Sequence, residues 1–121
     1  FGLMAVFGGN KRMKDAGGLR VVMVTAGSEK EAAKVARALV DERLAACVNI
    51  VPGVRSIYRW QETIEDEREV LMVIKTGAAS LDALEARVRE LHSYDVPEII
   101  AMPFDKGSGP YLEWLAESLG K

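Results

Sequence analysis

Apolar and polar positions change period several times along this chain, and each change marks an element. Leu19 to Thr25, LRVVMVT, is an apolar, β-branched run too short for a helix, which predicts a buried strand. Ser28 stands three residues before Glu31, the spacing of a capping box. Ala32, Val35, Ala36, Leu39 and Val40 then recur at helical spacing, predicting a first helix that runs to about Ala46. Lys30, Lys34, Arg37 and Asp41 form its solvated side.

A second strand is expected from about Cys47, with a bulge or bend at Pro52–Gly53, where a donor is missing and the backbone is permissive. Beyond it Val54, Ser56, Tyr58 and Trp60 alternate with Arg55, Ile57, Arg59 and Gln61. A turn falls within Gln61 to Ile64, and a third strand runs to Thr76. Val70, Met72 and Ile74 share one of its faces and Leu71, Val73 and Lys75 the other, so its final half is expected to be buried on both sides. The acidic stretch Glu65 to Glu69 is its expected exposed part.

After Ser80, the stripe Leu81, Leu84, Val88 and Leu91 predicts a second helix ending before Pro97. Glu98 to Phe104 reads as a fourth strand. The loop DKGSG leads to Pro110 at a favoured first-turn position, and Leu112, Leu115 and Leu119 make a short last helix stopped by Gly120. The order is β-α-β-β-α-β plus a helix: an α+β, ferredoxin-like split βαβ sandwich.

The second and third strands each claim ~13 residues, about 43 Å, whereas strands usually have ~5 to 6. A two-stranded ribbon of that length would leave Tyr58 and Trp60 uncovered, and such a hairpin is marginal in water. Another copy of the chain is the economical cover, so a homo-oligomer is expected.

Composition narrows the function classes. At 121 residues the chain suits one core, and no apolar run approaches the ~18 to 20 residues of a membrane helix, so no membrane association is expected. A net charge of -2 gives no excess positive field for phosphate backbones, so no nucleic acid partner is expected. The lone cysteine fits a reducing compartment, and a cytoplasmic location is expected. Residues 1–18 place apolar residues before basic ones, the reverse of a signal peptide, and are read as a disordered leader, with Met13 as the expected natural start.

The blocks LVDERLAACVNIVPGVRSIYRWQ, EVLMVIKT, LHSYDVPEIIAMPF and YLEWL resemble the CutA divalent-cation tolerance family in order and spacing. The similarity covers about Leu19 to Leu119, within an expected domain of 19–121. It implies a ferredoxin-like fold, a homotrimer built through the long hairpins, likeness to the PII signalling proteins, and a role in tolerance to copper and other divalent metal ions. The family usually has His-Pro-Tyr where this chain has His92-Ser93-Tyr94, which frees a backbone that proline would fix.

Cys47 carries a thiol suited to copper or zinc, while the burial tendency of free cysteine favours packing. His92 at the end of the second helix suits the helix terminus, or, with Tyr94 and Glu98, a shared divalent ion. Cys47, His92 and Glu98 are the candidate metal ligands. The resemblance places the His92 block beside a cleft between subunits, with Trp60 as an aromatic wall and Lys75 as an anion anchor. Trp60, Lys75 and Tyr94 are thus candidates for a bound cofactor or metabolite. One histidine, no nucleophile elbow and no cofactor fingerprint give no support to an enzyme. Three readings follow: a copper-favouring divalent-metal protein, a PII-like module binding a small anionic metabolite or nucleotide and signalling to an unknown protein partner, and a purely structural trimer.

Overall fold

A computed structural model describes residues 12–120. Most of the expected leader, 1–11, lies outside the described residues. Of the remainder, Met13–Asp15 forms a strand, β1, where the sequence predicted no element.

The further elements are β2 (Leu19–Ala26), α1 (Glu29–Asp41), β3 (Cys47–Trp60), β4 (Thr63–Gly77), α2 (Leu81–Leu91), β5 (Ile99–Pro103), β6 (Lys106–Ser108) and α3 (Gly109–Ser118). An antiparallel sheet runs β3-β4-β2-β5, the order of the predicted ferredoxin-like sandwich. β1 and β6 pair separately, and Asp15 takes an ion pair from Lys106 at 2.8 Å. Gly107 of β6 was read as loop. A Cβ there would lie 2.7 Å from the Leu112 side chain, so glycine lets α3 pack against the small sheet.

One face of the main sheet carries the core. Val22, Val24, Val70, Met72 and Ile74 pack beneath Val35 and Leu39 of α1 and Leu84 and Val88 of α2. Ser28 caps α1 by accepting the Glu31 N–H at 3.1 Å. The helix stops at Asp41, five residues before the expected end. Arg43 adopts φ 60°, its N–H reaching Val40 O and the Leu44 N–H reaching Leu39 O, the two bonds of a Schellman motif. The chain then turns into the sheet, and the buried Thr76 hydroxyl donates to Leu44 O at 2.6 Å.

The hairpin has the predicted length, with a register shift between Val51 and Val54 and Gly53 at φ 75°. Its turn is two residues, since Trp60 pairs with Thr63. The expectation that β4 ends buried on both sides is corrected: Leu71, Val73 and Lys75 are only half-buried. The helices cover one face, and α3 forms a second, smaller core with Ala46, Leu19 and Phe104. Val21, Met23, Leu71 and Val73 line an apolar, partly open face.

Candidate functional site

β2 ends at Ala26, and beyond it β3 and β4 continue alone. The loop after α2 fills the step. His92 caps α2 through its backbone, while its fully buried ring reaches across to β2, Nε2 donating to Thr25 O at 2.7 Å. The Tyr94 N–H donates to Nδ1 at 3.0 Å, so Nδ1 holds a lone pair and the ring proton sits on Nε2. With that tautomer, the 3.4 Å approach of Glu31 Oε2 to Nδ1 is not an ion pair.

Glu31 serves the loop instead. Its carboxylate accepts the Ser93 N–H at 2.7 Å and the Ser93 hydroxyl at 3.0 Å. The capping box is therefore half made: Ser28 bonds Glu31 N, while the Glu31 side chain turns to α2's outgoing loop. Tyr94 packs against His92 with the rings tilted by 59° and their centroids 4.6 Å apart, and donates its hydroxyl to Glu69 at 2.8 Å. Glu69 was expected to be exposed; it is 9% exposed, because the Tyr94 ring lies over the strand where β2 has ended. Burial, then the Glu69 carboxylate, push the Tyr94 phenol well above its ordinary value. The site thus keeps tyrosine protonated and Glu69 as acceptor.

The other candidates stand elsewhere. Cys47 pairs with Lys75 in the sheet, and His92 meets the row of Thr25 and Leu71, four residues further along β4, or about 13 Å. Tyr111 lies beside Cys47, with its phenol raised chiefly by burial and further by the neighbouring Cys47. Lys75 Nζ donates to Asn49 Oδ1. Glu98 is exposed just before β5. Trp60 stands at the hairpin tip, 60% exposed.

Tyr94 meets β4 at Glu69, six residues from Thr63 at the tip and six from Lys75, about 20 Å each way. Trp60, Tyr94 and Lys75 are therefore spread along one ribbon, and within one chain they do not line a common cleft. Among the described residues no three of the His, Cys, Asp and Glu side chains gather at metal-binding distance. Cys47, His92 and Glu98 do not meet, and His92 as placed can offer a metal no nitrogen without losing a bond.

Glu31, Glu69 and Thr25 were missed as site residues. Glu31 had been accounted for by its cap spacing and Glu69 by its acidic neighbours. Only the end of β2, which decides what can reach Glu69, would have separated it from Glu65 and Glu67. The arrangement can present two carboxylates and a phenol around a fixed loop, a set that attracts cations of oxygen-binding character.

Comparison with known proteins places this geometry. The model of the family described as CutA1 divalent ion tolerance protein matches residues 20–118. The divalent-cation tolerance protein CutA of Thermus thermophilus is 51% identical over 100 residues, 83% of this chain and 97% of that protein. Human protein CutA is 46% identical over 101 residues, 84% of this chain, which spans 56% of the human protein. Among solved structures, the Thermus thermophilus protein superposes with a TM-score of 0.81 at 50% identity, covering 83% of this chain and 97% of that one. CutA of Synechococcus elongatus gives 0.85 at 38% identity, over 89% and 96%. The sandwich, the oversized hairpin and the four sequence blocks thus have one explanation: the chain belongs to the CutA divalent-cation tolerance family.

Proposed function

We propose that this protein is a homotrimer that binds divalent metal ions, copper first among them, in divalent-cation tolerance, and that its ligand sites are completed between copies. The supporting observation is the convergence of the Glu31 and Glu69 carboxylates on the His92–Tyr94 loop, at the root of the ribbon and beside a half-open apolar sheet face. Carboxylates bring hard oxygen donors, and a neighbouring chain would bring the donors that one copy does not gather. Copper is the first ion to test because a thiolate and an imidazole, from Cys47 and His92, suit it. His92 would have to exchange one of its present hydrogen bonds for the ion.

Isothermal titration with copper, zinc and manganese ions, with mass by light scattering in the same buffer, tests this reading. A trimer that takes up a divalent ion at micromolar concentration, with binding weakened by Glu69→Gln or Cys47→Ser, is the expected result. A monomer, or an oligomer that binds none of the three ions, overturns it.

The second reading is a PII-like module holding a small anionic metabolite or nucleotide between copies. The half-buried Lys75 ammonium on the apolar sheet face favours it, since such a charge invites an anionic partner. Arg55 adds nothing to it, being held by Asp66 through two bonds at 2.8 and 2.6 Å. A thermal shift from a nucleotide and carboxylic acid panel, lost in Lys75→Met, is its expected signature.

A further inference from the structure

The last helix, α3, depends on a segment far from it in sequence. At ten residues it is shorter than the ~12 to 15 that an isolated helix needs in water, and Ser108 before it makes no side-chain capping bond. Its start is held from outside. The Gly109 N–H donates to the Arg12 carbonyl at 3.2 Å, so the residue before β1 satisfies a donor that the helix cannot. The ladder continues through Lys14 opposite Gly107 and closes where the Ala16 N–H donates to Asp105 O at 3.0 Å. Ala16 is buried, and the chain then enters β2. β1 thus ties the strand that feeds α3 to the body of the sandwich.

Under α3 lies the chain's one cysteine. Val48 packs against the core beneath α1, so Cys47, the preceding residue of the strand, faces the other side of the sheet. There Tyr111, in the first turn of α3, lies beside it, and Leu112, Leu115 and Leu119 cluster with the adjoining Ala46. Cys47 is half-buried in this arrangement. The closure is slight. It consists of two three-residue strands and an ion pair between the exposed side chains of Asp15 and Lys106, a set of contacts that can open locally while the body stays folded.

We infer that β1 is a strap: paired with β6 it holds the start of α3 closed over Cys47, and its release lifts Tyr111 away from the thiol. The strap therefore sets how readily Cys47 meets a reagent from solution, a soft metal ion included. The inference concerns access to the thiol and stands whether or not Cys47 binds a metal.

Labelling of Cys47 by iodoacetamide in the full chain, followed by mass spectrometry, tests it, with the urea dependence of the rate separating local opening from global unfolding. Lys14 lies midway between the Arg12–Gly109 and Ala16–Asp105 bonds, two residues from each, and so shares their hydrogen-bonded register. Lys14→Pro removes that donor from the ladder. It should raise the labelling rate about tenfold or more at low urea, with circular dichroism and the urea midpoint unchanged. Asp15→Lys sets a like charge against Lys106 and should raise the rate roughly twofold, and Asp15→Lys with Lys106→Asp should restore the parent rate. If Lys14→Pro disturbs the fold, the opposite change decides. Met13 and Ser108 stand opposite one another, and Met13→Cys with Ser108→Cys, closed as a disulfide, should slow labelling of Cys47 below the parent rate. A parent rate in Lys14→Pro or in the disulfide-closed form overturns the inference, as does labelling that in every form follows global unfolding.

Discussion

The two ends of the long hairpin are built from one continuous pair of strands, yet they obey different rules. Near the helices, Val70, Met72 and Ile74 of β4 are buried beneath α1 and α2, and β2 completes the sheet. Past Ala26 the same strands carry Ile57, Trp60 and Ile64 into solvent. The period of two is identical in both halves. What differs is the layer above it, so the hydrophobic pattern alone tells which residues share a face and not what covers that face. The near half is covered by its own chain, and the far half leaves Ile57, Trp60 and Ile64 uncovered.

The largest effect should come from breaking the near half. Met72 is fully buried, and Met72→Ala should lower the free energy of unfolding by ~2 to 5 kcal/mol, through lost burial and the cavity left behind. Ile57→Ala on the ribbon should change the stability of the dissociated chain by no more than ~0.5 kcal/mol, as surface substitutions do, while weakening association. Denaturant melts at low and high protein concentration separate the two. If Ile57→Ala is as damaging as Met72→Ala at the lowest concentration, the division between the halves is wrong.

The junction between the halves is the next place to press. Tyr94→Phe removes the donor from Glu69, and a buried acceptor left without a partner costs about 1 to 3 kcal/mol. The same change has a pH signature. Because the folded protein raises the Tyr94 phenol above the ordinary tyrosine value of about 10, its contribution is complete below that value and is lost as pH rises beyond it. Melting temperature should therefore fall above about pH 10 in the parent and less steeply in Tyr94→Phe. Tyr58 on the ribbon is pushed up to about 12, chiefly by its hydrogen bond to Glu67, but it lies on the exposed ribbon, where solvent screens that bond, and Tyr58→Phe should leave the profile nearly unchanged.

The fold was legible because period, caps and breakers agree. LRVVMVT, the helical stripes, the Pro52–Gly53 bulge and Pro110 each point to the element found. The misreadings share one physical origin, which is contact between segments distant in sequence. Helix α1 was extended to Ala46 because its apolar spacing continues, while Arg43 in the left-handed conformation is chosen by the need to turn Leu44–Ala46 into the sheet. β1 and β6 carry no periodic signal at three residues each and exist by pairing with one another. The site was half legible. His92 and Tyr94 stood out as rare residue types in one block, whereas Glu31 and Glu69 were hidden among ordinary carboxylates whose neighbours in space are 62 and 25 residues away.

Glu31 sharpens the comparison at the helix side of the junction. Its bonds to Ser93 hold the loop that a proline would otherwise stiffen. A double-mutant cycle of Glu31→Ala and Ser93→Ala should give a coupling of about 1 kcal/mol, and the Ser93 amide should exchange faster in Glu31→Ala. Additive effects with unchanged exchange would mean that the carboxylate merely caps α1.

The smallest effect concerns the far tip. Gln61 adopts φ 55° in a two-residue turn, a conformation that glycine enters without the clash of a Cβ. Gln61→Gly should relieve a local strain of ~1 kcal/mol, offset in part by the greater freedom of glycine in the unfolded chain, leaving a gain of a few tenths. In the homotrimer proposed above, the far half governs assembly more than it governs folding of the single chain. The gain should therefore appear as tighter association, read from light scattering over a dilution series, with little change in the melting of the dissociated chain. A gain confined to the dissociated chain would show that the ribbon tip folds with the body, and the boundary between the two regimes would have to move out to Trp60.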